Sequence, residues 1–361
     1  MAKGIYIGVG GVARKAKKMY VGVGGVARKI KKGYVGVGGV ARPFWSGGEL
    51  AYYGKAPNLS DSTYELAATS VGNYALFAGG TGSPRAVNAY NGSLVKSNPV
   101  EMDTMRDRHA ATTVGNYALF AGGGSSTKVD VYDKNLTHST TTYISEVDYP
   151  AAASVGNYAL FAGGKKDGSD LKDVYAYDTN LVKSTPTPLT YVRNSLAGAS
   201  VGNYALFAGG AMSSTNRVEA YDSNLTRSTA TTLLSGRGHL AGTSTKKHAI
   251  FGGGSSASAV IDTYNENLVR NSNPSLSVGR NYLSATTLGE FAIFGGGTTD
   301  AYSDAVNTVD AYDANLIRST PQGLDTVKYN LAATTVGNYA LFGGGRGSGA
   351  NGASVCAYTI V

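Results

Sequence analysis

Cysteine is almost missing from this chain. Cys356 stands alone, so no intramolecular disulfide can form. Charge is sparse as well: only 16% of the residues are charged, against 50 Gly and 25 Tyr in 361. A disordered chain is rich in charge and poor in aromatics, so that class is excluded, and the composition suits short strands joined by tight turns. Long apolar runs are also missing. No window approaches the length of a membrane span, and the start, MAKGIYIGVGG, has no apolar core of signal-peptide length. The expectation is a chain made in a cytoplasm with no route through the usual secretion pathway.

One stretch lacks acidic residues altogether. Residues 1–46 hold ten basic side chains (Lys3, Arg14, Lys15, Lys17, Lys18, Arg28, Lys29, Lys31, Lys32, Arg42) and no Asp or Glu. Of 32 Lys and Arg this leaves 22 for the rest, against 24 Asp and Glu, so the formal +8 belongs to the first 46 residues. A near-neutral body argues against nucleic acid as a partner.

What is present is repetition, in two systems. Tyr6-Ile7-Gly8-Val9-Gly10-Gly11-Val12-Ala13-Arg14 recurs from Tyr20 and from Tyr34. Paired glycines between alternating residues signal two-residue hairpins, with tips at Gly10-Gly11, Gly24-Gly25 and Gly38-Gly39. So small a sheet has little core of its own and needs a partner surface or further copies of itself. Tyr6, Arg14, Tyr20, Arg28, Tyr34 and Arg42 are the candidate anchoring residues.

The second system fills the rest. Val71-Gly72-Asn73-Tyr74-Ala75-Leu76-Phe77-Ala78-Gly79-Gly80 returns from Val114, Val155, Val201 and Val336, with looser copies around Phe251 and Phe294. The phenylalanines Phe77, Phe120, Phe161, Phe207, Phe251, Phe294 and Phe342 are spaced 43, 41, 46, 44, 43 and 48 apart. A second marker, as in Tyr132-Asp133-Lys134-Asn135-Leu136, sits between them. Periods of this size with strand-type residues mean propeller blades. One unit reads as strands at 66–70 and 74–78, a variable loop, a strand ending at Tyr-Asp, a turn capped by Asp oxygens, and a fourth strand such as 225–228. The last unit stops after its third strand, and a spare strand stands at 50–57. Pairing the two completes blade seven and removes an open edge.

The paired glycines after an aromatic-apolar strand, the Tyr-Asp before the outer turn and a basic residue three places before the strand-one Leu resemble the kelch family over residues 50–361. The strand-four Trp usual there is missing, since Trp45 is the only Trp. The expected fold is all-β: a seven-bladed kelch-like β-propeller (47–361), closed by an N-terminal strand and preceded by a short β-hairpin repeat arm (1–46).

The turns Val-Gly-Asn and Tyr-Asp-x-Asn-Leu are nearly constant and fall on one face. The loops 81–86, 124–128, 165–172, 211–217, 254–259, 297–307 and 346–353 differ in every unit and fall on the other. Variable polar loops on a repeated scaffold are where binding sits. Three residues before the strand-one Leu stand Thr63, Arg106, Val147, Arg193, Arg237, Arg280 and Lys328, five of them basic. With Tyr64, Tyr149, Tyr282 and Tyr329 nearby, this ring fits a ligand site at the channel mouth. It equally fits a structural tie between blades, the use to which kelch repeats put this Arg.

Catalytic chemistry is hard to find. His109, His138, His239 and His248 occupy different slots and form no metal spacing, and Asp167, Asp170 and Asp173 depart from the EF-hand pattern. Neither a Tyr-Cys and His constellation nor Asp-box motifs are present. The expectation is no enzyme, no cofactor and no metal. The Gly-Val-Gly-Gly-Val-Ala-Arg repeats resemble N-terminal segments of tail-associated structural proteins of phages and prophages of Gram-positive bacteria. That resemblance implies a multi-copy virion or tail-like-particle protein, assembled in the bacterial cytoplasm and released by lysis. Its arm would bind other virion proteins, and its propeller would meet a host cell-surface carbohydrate. A decoration protein without a receptor and an intracellular kelch scaffold are the alternatives.

Overall fold

The computed structural model describes residues 48–361 apart from 125, 212–215, 273, 300–303 and 348–351. Before residue 48 it describes only the strand backbones of three hairpins. The chain divides into two compact units, Met1–Ala51 with Ile360–Val361, and Tyr52–Thr359. In the first, Tyr6–Val9 pairs with Val12–Lys15, Tyr20–Val23 with Val26–Lys29, and Lys32–Val37 with Val40–Ser46. The Gly-Gly tips lie outside the described residues, as do the side chains of the six candidate anchoring residues.

The second unit is a seven-bladed β-propeller, all strand and turn among the described residues. Blade one runs Ala67–Val71, Tyr74–Ala78, Val87–Asn91 and Lys96–Ser97, each antiparallel to the next. Strand four is short in every blade that carries its own. Blade seven is Ala332–Val336, Tyr339–Gly343, Val355–Ile360 and then Leu50–Ala56, the N-terminal strand completing the C-terminal sheet as the sequence implies.

Each repeated residue has a packing reason. The strand-two Phe stands edge-on to the strand-three Tyr of its own blade, with Phe77–Tyr90 centroids 5.9 Å apart. Both pack on the preceding blade, so Phe120 and Tyr132 share one core with Leu76 and Val87. The Tyr132 hydroxyl donates to the Val100 carbonyl at 2.8 Å. The paired glycines exist because blades touch there: Gly79 and Gly80 both have positive φ, and a Cβ on Gly79 would lie 2.6 Å from the Arg106 carbonyl of the next blade. In the outer turn Asp133 Oδ1 accepts from the Asn135 and Thr137 amides, both at 2.8 Å, and Leu136 takes positive φ. The two constant turns meet across blades, where the site of a Gly72 Cβ is 3.0 Å from Lys134 Cβ. Their constancy is therefore a packing requirement.

Candidate functional site

The basic ring is not at the channel mouth, and that expectation is corrected. Arg106, Arg193, Arg237, Arg280 and Lys328 are at most 1% exposed. Each arginine turns inward and meets a carboxylate on strand three of its own blade. Arg106 reaches Asp130 at 2.5 Å, Arg237 reaches Asp262 at 2.8 Å, Arg280 reaches Asp310 at 2.8 Å, and Arg193 pairs with Glu219. A second, outer arginine approaches three of the acids, as Arg270 does Asp262 at 3.0 Å, and His138 takes that place at Asp130. Burial of charge at this depth is tolerated only with partners of this kind.

The partners change together from blade to blade. The acid sits opposite the strand-two Phe, where the seven blades carry Asn88, Asp130, Tyr175, Glu219, Asp262, Asp310 and Cys356. Blades with Arg have an acid; the blade with Val147 has Tyr175, and the blade with Thr63 has Asn88. In blade seven Lys328 Nζ donates to Ser354 Oγ at 2.6 Å and lies 3.3 Å from Asp325. Five basic residues in a row of seven are thus the buried half of a structural pair.

The mouth is formed two residues later. Glu65, Arg108, Tyr149, Ser195, His239, Tyr282 and Asn330 precede strand one in their blades, and all seven have φ between 52° and 57°. Their backbones form a closed circle. The amide of Arg108 donates to the Glu65 carbonyl at 2.9 Å, and the pattern repeats through Tyr149, Ser195, His239, Tyr282 and Asn330. The Glu65 amide then closes it on the Asn330 carbonyl at 2.9 Å. This turn sends the seven side chains into a cavity of about 260 Å³ on the variable-loop face, floored by His109, Pro150 and the strand-one leucines.

The two halves of the mouth differ. On blades one to three Arg108 lies 3.1 Å from Asp107, 3.7 Å from Asp148 and 3.8 Å from Glu65, and it sits over the Tyr149 ring at 5.4 Å. On blades five to seven His239 stacks on Tyr282 with centroids 4.3 Å apart, and Tyr282 meets Tyr329 at 6.3 Å. Burial raises Glu65 above the usual carboxylate range, with Asp107 adding and Arg108 opposing. Burial lowers His239, and lowers the deeper His109 further, helped by Arg106. Of the four tyrosines singled out from the sequence, Tyr149 and Tyr282 line the cavity. Tyr329 is buried behind it, and Tyr64 lies under the Arg346 guanidinium at 5.5 Å. Glu65, Arg108, Ser195, His239 and Asn330 were missed. The available signal was their column, which changes in almost every unit directly before a near-constant strand.

No family model matches the chain, and no curated protein matches it. The chain is similar to the solved structure of YjhT, with a TM-score of 0.58 and 13% identity over 74% of this chain and 99% of YjhT. The likeness shows the propeller fold. It also overturns the expectation that the chain is no enzyme. That expectation rested on missing motifs, and at 13% identity the fold persists through nearly complete change of side chains, so a motif's absence excludes no activity. The mouth itself gathers Glu65, His239 and two tyrosines, groups able to move protons.

Proposed function

We propose that this protein is a structural component of a phage virion or phage-tail-like particle. It is anchored by the basic hairpin arm, present in several copies, and displays a propeller whose mouth binds a host cell-surface carbohydrate. One observation carries the binding reading: seven positions with the same backbone geometry hold Glu65, Arg108, Tyr149, Ser195, His239, Tyr282 and Asn330, six residue types in seven places. A cavity needed only for packing has no use for such variety, whereas a ligand with distinct edges does. Tyrosine faces stack on sugar C–H groups, and the amide, hydroxyl and carboxylate bond sugar hydroxyls. Weak single sites add up on a multi-copy particle. The threefold arm repeat favours a docking role, and the particle would assemble in the bacterial cytoplasm and leave by lysis.

The test is a pull-down on bacterial cell walls with wild type, with Tyr149→Ala and Tyr282→Ala together, and with Lys134→Ala on the opposite face. Binding by wild type and the Lys134 variant, lost in the tyrosine variant with folding intact, is expected. A folded wild type that binds no wall favours the decoration role instead. Co-sedimentation of particles with a chain lacking 1–46 tests the arm; the shortened chain should stay in the supernatant.

A further inference from the structure

Glu65 is poorly satisfied for a carboxylate that lines a cavity. An ionised carboxylate offers about four acceptor sites and forms its strong bonds with charged donors below about 3 Å. Glu65 has only long contacts: Asn330 Nδ2 at 3.3 Å, Thr81 Oγ1 at 3.5 Å and Arg108 Nε at 3.8 Å. The guanidinium that could serve it is drawn away, since Arg108 lies closest to Asp107 and also faces Asp148. Asp107 is well met, by Thr81 Oγ1 at 2.9 Å and by Arg108 Nε at 3.1 Å. Asp148 accepts from the Gly124 amide at 3.0 Å. Three carboxylates therefore share one cation, and the one facing the cavity is the least satisfied. Among the described residues, no lysine or arginine other than Arg108 lines the cavity.

On the far side of Asn330 in the circle stand Tyr282 and, stacked on it, His239. An aromatic wall in the same mouth as a poorly satisfied carboxylate is a setting for a cation, which gains from ring faces as well as from the opposite charge. We infer that the mouth takes an ammonium group, held by Glu65 and screened by Tyr282, so that the carbohydrate it selects is one with a free amino group. This deepens the carbohydrate reading and rests on it. The basic residues that the sequence placed at the mouth are buried, and the unspent charge there is negative.

The experiment is calorimetric titration of the full chain with oligomers of glucosamine and, separately, of N-acetylglucosamine. These share ring and linkage and differ in the charge on nitrogen. The wild type should bind the free-amine oligomer at least tenfold more tightly, with affinity falling as salt is added. Glu65→Gln, which keeps size and the Asn330 contact, should reduce that binding about tenfold, the effect of losing one charged hydrogen bond. It should weaken the N-acetyl oligomer far less and keep the melting temperature of the wild type. Equal binding of the two oligomers, or an unchanged Glu65→Gln, overturns the ammonium inference and leaves the carbohydrate reading standing. Binding of neither oligomer overturns the inference, and the cell-wall pull-down then decides the broader reading by itself.

Discussion

Two circles of side chains lie two residues apart on the same loops and differ in nearly every property. The first is buried, basic in five places of seven, and paired with strand three. The second is mostly half-buried, chemically mixed and joined into a circle through its backbone. The first holds each blade together, and its members change only with their partners. The second closes through its peptide groups, so its side chains can differ without opening it. Scaffold and site are thus separated within a stretch of three residues.

The strongest way to break both circles is to open the ring. Deleting 1–57 removes strand four of blade seven, with buried Leu50 and Ala56, and exposes a sheet edge. From burial alone a loss of about 3–5 kcal/mol is expected. Deleting 1–46 should leave the propeller's melting temperature unchanged. Thermal melts of both truncations check this, and equal melting temperatures would sink the closure.

Next in size comes the buried circle. Arg237→Ala removes the buried partner of Asp262, leaving it the outer Arg270, and should cost about 3 kcal/mol in denaturant unfolding. Exchanging both partners for the pair used in blade three, Arg237→Val with Asp262→Tyr, should recover more than half of that loss. If the double exchange is as damaging as the single one, the blades are not interchangeable in the way their shared changes imply.

His109 gives a smaller, pH-dependent effect. It occupies the slot that five other units fill with Leu, and burial holds it neutral well below the usual imidazole range. A base with a lowered folded value takes up its proton first in the unfolded chain, so its presence weakens the fold as pH drops below about 6.5. The slope is about 1.4 kcal/mol per pH unit until the folded value is reached. His109→Leu should therefore raise the melting temperature more at pH 5 than at pH 8. A gain that is the same at both pH values would mean that His109 takes up its proton as readily in the fold as in the unfolded chain.

Smallest of all should be the stability effect at the mouth. Tyr282→Ala should shift unfolding by less than about 1 kcal/mol, since its circle is held by peptide groups, while abolishing carbohydrate binding. A large loss of stability there would erase the division between the two circles.

Blade number and closure were legible because Phe spacing and the Tyr-Asp turn report packing that every blade needs. The mouth was legible only in part. A basic residue recurring at Arg106, Arg193, Arg237, Arg280 and Lys328 marks constraint, and constraint came from the buried acids, which stand 24 to 30 residues away from the four arginines in unlike local sequence. The turn that aims Glu65 or Tyr282 inward depends on positive φ at residues other than glycine. Nothing in the identity of Glu, Arg, Tyr or Ser announces that conformation; only Asn330 and His239 are residue types enriched in it. Tertiary closure imposes it at the other five.

The circle of peptide groups has an electrostatic consequence. Its seven N–H groups all point the same way round, each to the next carbonyl. Peptide dipoles laid end to end in a line add up, as they do along a helix, and give the ends about half a charge each. Laid end to end around a closed loop they cancel. The rim therefore contributes no net axial field and offers neither an anion nor a cation any preference of its own. Whatever polarity a ligand meets on entering is set by the seven side chains, so a single substitution such as Glu65→Gln changes the sign of attraction at the mouth without opposition from the backbone.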